Sequence, residues 1–123
     1  MNPELGLTFH VHDNYLEVSY IGEHHPAILL EMMLKVKEKA KEVNHTRILL
    51  DCLQLPAPAN DLQRLYVGLD IASMFPYPLR VAALYPPEFT TYLAQNVAIY
   101  RGTFFRVFAQ SETALAWLLQ SES

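Results

Sequence analysis

The sequence predicts an α/β fold: a mixed, mostly parallel sheet in the order β-β-α-β-α-β-α-β-α, with helices mainly on one face. Three observations carry this. Residues 7–21 alternate apolar and polar side chains on both sides of a two-residue break, the mark of a hairpin. Three later runs, 46–53, 79–85 and 103–109, are short, apolar and β-branched or aromatic, and so read as strands. Helical periodicity fills the intervals between them. Strands that alternate with helices need crossover connections, which are right-handed in nearly all proteins and make neighbouring strands parallel. A chain of 123 residues suits one domain, 1–123, with one core.

In the hairpin, Leu7, Phe9 and Val11 alternate with Thr8, His10 and His12, and Asp13-Asn14 form a turn suited to positive φ. A two-residue turn there sets Val11 opposite Leu16, Phe9 opposite Val18, Leu7 opposite Tyr20 and His10 opposite Glu17. One face is then core and the other is wet. Pro26 fits the first turn of a helix running to about Val43. Its buried stripe is Leu29, Met32, Met33, Val36, Ala40 and Val43, with Lys35, Lys37, Lys39 and Lys41 in solvent and Asn44-His45 ending it.

After strand 46–53 comes an irregular stretch, 54–60, with Pro56 and Pro58. Asn60 then caps a helix over 61–75. This helix is apolar on two sides. At about 100° per residue, Leu62, Leu65, Tyr66, Leu69 and Ala72 form one stripe, and Val67, Ile71, Met74 and Phe75 form a second almost opposite. One core uses one side, so the second stripe is expected to meet a loop, a ligand, a membrane or another subunit. Pro76 and Pro78 stop the helix. Strand 79–85 and the Pro86-Pro87 break follow. A helix over 88–101 then carries Phe89, Leu93, Val97 and Tyr100 as its stripe, with Gly102 as its C′ residue. Strand 103–109 precedes a closing helix capped by Ser111 and carrying Ala114, Leu115, Leu118 and a flanking Trp117. Arg47, Arg80 and Arg106, one per late strand and each in phase with the alternation, predict a second sheet face that is at least partly solvated.

Composition narrows function by exclusion. Apolar residues make up 51% of the chain, charged residues 18%, and the net charge is −4. That balance argues against nucleic-acid binding, which requires phosphate neutralisation. A single cysteine excludes an internal disulfide framework, and with no signal-peptide pattern the expected compartment is the reducing cytoplasm. No apolar run approaches the roughly 18–20 residues that span a bilayer, so membrane contact is expected to be peripheral at most. Four glycines, none grouped as Gly-x-Gly, exclude a glycine-rich phosphate loop and point to no nucleotide cofactor.

The element order, a strand ending Leu49-Leu50-Asp51 ahead of the two-sided helix, and the closing Arg106-Val107-Phe108-Ala109 with Ala114-Leu115-Ala116-Trp117-Leu118 together resemble the SpoIIAA-like group of STAS-fold proteins. The resemblance covers most of the chain and implies a small bacterial βα domain without enzymatic activity. Its relatives include anti-sigma-factor antagonists, cytoplasmic domains of anion transporters and stand-alone proteins whose fold is likened to lipid-carrying CRAL/TRIO domains. Antagonists of that group carry a phosphorylatable serine or threonine where the helix after the third strand begins. Here Pro58-Ala59-Asn60-Asp61-Leu62 offers no hydroxyl, so a phosphorylation switch at that point is not expected.

Other candidate chemistry reads as structural. His10, His12, His24 and His25 do not combine with a cysteine or carboxylate into zinc-ligand spacing, and no metal site is expected. His10 pairs more naturally with Glu17 across the hairpin. Asp51, at the carboxyl edge of the sheet, is read first as an acceptor for amides around Leu53–Leu55 and second as a contact to a polar ligand head. Cys52 shares the buried phase of Ile48 and Leu50, which disfavours a thiolate nucleophile. Leu30 and Leu34 continue into Lys37 and Lys41 along α-helical spacing, an apolar-then-basic strip.

Two functions follow. The first is a non-enzymatic binding module for a lipid-like molecule or membrane lipid, in a groove between 61–75 and 88–101 lined by Val67, Ile71, Met74, Phe75, Tyr92, Asn96 and Ile99. The second is a regulatory interaction domain that buries the same face in a homodimer or against another protein.

Overall fold

A computed structural model describes residues 6–22, 26–54, 75, 78–84 and 104–120. They form one five-stranded sheet with strands in sequential order: β1 (Leu7–Val11), β2 (Leu16–Tyr20), β3 (Arg47–Asp51), β4 (Arg80–Leu84) and β5 (Phe104–Phe108). Two helices are described, α1 (Pro26–Glu42) and α2 (Ser111–Leu118). β1 runs antiparallel to β2, and every later pair is parallel. The mixed, mostly parallel sheet of the sequence reading is the one observed. The predicted helices at 61–75 and 88–101 lie outside the described residues, Phe75 excepted.

The hairpin register is the one the alternation dictates, with Leu7 opposite Tyr20, Phe9 opposite Val18, His10 opposite Glu17 and Val11 opposite Leu16. The turn is different. Neither Asp13 nor Asn14 enters the positive-φ region, which among the described residues holds only Gly6 and Asn44. The His12 amide donates to the Tyr15 carbonyl at 2.9 Å and closes the loop. Register is thus held by burial of the Leu16, Val18 and Tyr20 face, since a one-residue slip would expose all three.

α1 buries Leu29, Met32, Met33, Val36 and Ala40, as its periodicity requires, and leaves Val43 half-buried just beyond the helix. Its C-terminus is a Schellman motif. Asn44 has φ 61°. Its amide reaches the Lys41 carbonyl at 3.2 Å, while the His45 amide reaches the Ala40 carbonyl at 2.9 Å. Two of its lysines pair one turn along the helix: Lys39 with Glu42 at 3.7 Å, where it also lies 6.0 Å from the Phe9 ring, and Lys35 with Glu38 at 4.0 Å.

Alternation along the strands sorts the interior into two clusters. On the α1 side, Leu7, Leu16, Val18, Tyr20, Ile48, Leu50, Val81, Ala83 and Phe105 meet the α1 stripe, Cys52 and Phe75. On the opposite side, Leu49, Ala82 and Leu84 meet Ala114 and Leu118 of α2, with Phe108, Leu115 and Trp117 packed against them. β4 is therefore buried along its whole length, and its two alanines leave room for a close neighbour on each face.

α2 is the exception to one-sided helical cover. It follows the last strand and leads to no further strand of this sheet, so crossover handedness does not constrain its side. Beyond it the second face is open: Thr8, His10, Glu17 and Ser19 on β1 and β2 are half-buried or exposed. Ser111 does not cap α2. It is the first helical residue; Gln110 occupies the cap position in an extended conformation without a capping side-chain bond of its own, and the Thr113 hydroxyl donates to the Gln110 carbonyl at 3.0 Å.

Candidate functional site

Three groups of chemistry-bearing residues are described. The first is the carboxyl edge of the sheet, where open α/β folds place ligands. Asp51 ends β3, and its Oδ1 accepts the Leu53 amide at 3.1 Å, the loop-ordering role expected of it. Cys52 extends the ladder by donating its amide to the Leu84 carbonyl at 2.9 Å. Its thiol is fully buried among Ile48 and Leu50, and burial, with Asp51 beside it, holds the thiol strongly in its protonated form. The buried, protonated thiol is not available as a nucleophile.

The second group surrounds the hairpin loop. Glu17 takes its partner diagonally: His12 Nε2 donates to Glu17 Oε1 at 2.8 Å, whereas His10, its register partner, does not bond it. His12 is the better placed because its ring stacks on Tyr15, with centroids 4.3 Å apart and planes at 13°. His45, just past the Schellman turn, donates from Nε2 to the His12 carbonyl at 2.7 Å and ties the end of α1 to the hairpin. Burial, and secondarily Glu17, raise the Tyr15 hydroxyl above its ordinary range. Among the described residues no three His, Cys, Asp or Glu side chains converge as metal ligands. His24 and His25 lie outside them.

In the third group Arg47 is half-exposed and Arg106 exposed, as the strand alternation predicts, and Arg80 departs from it. Arg80 was expected to be half-exposed, yet it is 9% exposed. Its Nη1 donates to the carbonyls of Trp117 at 3.2 Å and Gln120 at 2.9 Å. Arg47, beside it in register, donates from Nη2 to the same Gln120 oxygen at 3.3 Å. The Trp117 carbonyl lies in the last turn of α2, where it also accepts the Gln120 amide at 3.3 Å, and Gln120 lies just beyond the helix, at the end whose dipole favours cations. The Arg80 guanidinium carbon is 4.8 Å from the Trp117 ring centre and 5.7 Å from that of Phe104; Arg106 is 6.0 Å from Trp117. The signal was present in the sequence as three arginines in phase, but their convergence needed the strand order and the position of α2.

Of the apolar groove residues, Val67, Ile71, Met74, Tyr92, Asn96 and Ile99 fall outside the described residues. Phe75 is fully buried in the α1-side cluster. It stands in a bend and packs as core.

No family model and no curated protein sequence matches this chain. Among solved structures it is similar to an uncharacterised protein of the DUF3478 family with a SpoIIAA-like fold from Shewanella loihica PV-4. The two share 21% identity over 91% of each chain, with a TM-score of 0.54. The fold is SpoIIAA-like.

Proposed function

We propose that this SpoIIAA-like chain is a non-enzymatic binding module that takes a hydrophobic ligand or membrane lipid in an apolar groove between residues 61–75 and 88–101. The observation that carries the reading is the surplus of apolar side chains ahead of Phe75. Phe75 is where the β3–β4 connection enters the α1-side core, and the sequence before it holds two apolar stripes where one core-facing side needs one. Val67, Ile71 and Met74 form one wall, Tyr92 and Ile99 the other, and the Asn96 amide orients a polar end of the ligand. The engaged states of Asp51 and Cys52 support a binding role over a catalytic one.

A fluorescent fatty-acyl probe tests it. Wild-type protein should bind saturably, and Ile71→Asp should weaken binding at least about tenfold, since a buried unpaired carboxylate is strongly disfavoured. Equal binding by both proteins would defeat the proposal.

The second reading, an interaction domain using the same face, draws support from the apolar surface that is described. Leu30 and Leu34 of α1 are 38% and 43% exposed in line with Lys37 and Lys41, and no carboxylate among the described residues pairs with those two lysines. On that reading Ile71→Asp would convert a dimer to a monomer in sizing chromatography, and a wild type that is monomeric at high concentration would exclude self-association.

A further inference from the structure

The arginine cluster at the end of α2 holds more positive charge than its partners balance. Among the described residues no carboxylate pairs with Arg47, Arg80 or Arg106. The C-terminus of α2 offers only about half a negative charge to the three guanidinium groups around it. Arg80 is nine-tenths buried, and buried charges are ordinarily paired.

The hydrogen bonds of Arg80 also leave a particular edge over. Both carbonyl contacts use Nη1. The buried Nε–H has no hydrogen-bond partner. Nη2 makes no hydrogen bond within the described residues either. Nε–H and Nη2–H are the parallel pair through which a guanidinium grips two oxygens of one carboxylate or phosphate. Arg47 comes to the same Gln120 oxygen as Arg80, and Arg106 comes to the same indole ring, so three cations border one place.

We infer that this cluster is an anion site, in which a small soluble oxyanion of the phosphate class sits on the Nε–Nη2 edge of Arg80 between Arg47 and Arg106. The depth of Arg80 suits a small anion better than a headgroup held in a bilayer surface. The inference does not depend on the proposed groove.

The chain's single tryptophan, Trp117, lies against two of the three guanidinium groups and reports on the site directly. Inorganic phosphate is titrated at ionic strength held constant with chloride, and Trp117 emission is followed. The expected result is a saturable change in wild type, weakened about tenfold in Arg106→Gln and in Arg47→Gln, the order of one charge-assisted contact. The Arg106 side chain makes no hydrogen bond among the described residues and lies 6.0 Å from the Trp117 ring centre, so its variant should keep the fold, which far-ultraviolet circular dichroism verifies. A response no different from chloride, or one unchanged in both variants, overturns the inference. Saturation that develops only after Glu122→Gln also overturns it, because the chain's own carboxylate would then occupy the guanidinium groups.

Discussion

Cys52 and Asp51 are adjacent at the carboxyl edge of the sheet, and burial gives them opposite fates. The Asp51 carboxylate is half-exposed and bonds a loop amide, while the Cys52 thiol is sealed among aliphatic side chains. This has a pH consequence. The folded-state thiol value is raised above the ordinary 9.0, so the folded protein holds a proton that the unfolded chain releases first. The contribution is fully present below about pH 8.5 to 9 and declines as pH rises further. Tyr15, also raised, adds a decline of the same sign above its ordinary 10.0. Denaturant unfolding between pH 7 and 10.5 should show stability falling with pH, and Cys52→Val should flatten the part that begins near pH 9. A slope unchanged in that variant would show the thiol to be solvated. Thiol alkylation in the native state should likewise be slow until denaturant opens the core.

At the scale of elements, the most sequence-determined part is the helix end at Asn44-His45. Asn44 sits in the left-handed region, where a Cβ is disfavoured and asparagine is among the better-tolerated residues. Asn44→Ala should cost about 1 kcal/mol, whereas Asn44→Gly should be neutral or stabilising; urea midpoints measure both. The hairpin, the α1 stripe and the three late strands were equally readable, because each follows a periodicity set by local geometry. Two features were not. The Asp13-Asn14 turn chemistry gave way to a loop held by His12, Tyr15 and Glu17, contacts that alternation does not encode. The arginines of β3 and β4 looked like solvent-facing residues because a strand pattern reports phase and says nothing of what covers the face. Once α2 lies over Leu49, Ala82 and Leu84, its terminal carbonyls reach Arg80 and Arg47, and a solvated row becomes a helix cap.

Among the described residues the molecule is a five-stranded sheet with sequential strand order, α1 on one face and α2 on the other. That architecture was legible because hairpin, crossover and handedness rules leave few alternatives for this element order. The groove was legible only as a surplus. Two apolar stripes on residues 61–75 say that something is covered, and composition cannot say by what. Phe75 illustrates the limit: it counted toward the open stripe, yet it is fully buried in the α1-side core. No helix among the described residues is long and apolar enough to cross a membrane. Organic extraction of protein purified without denaturant, followed by mass spectrometry of the extract, tests the binding-module claim most directly. The account predicts an acyl-type lipid recovered near one per chain from wild type and lost from Ile71→Asp. An extract free of lipid from wild type, or the same lipid at the same yield from the variant, would contradict it.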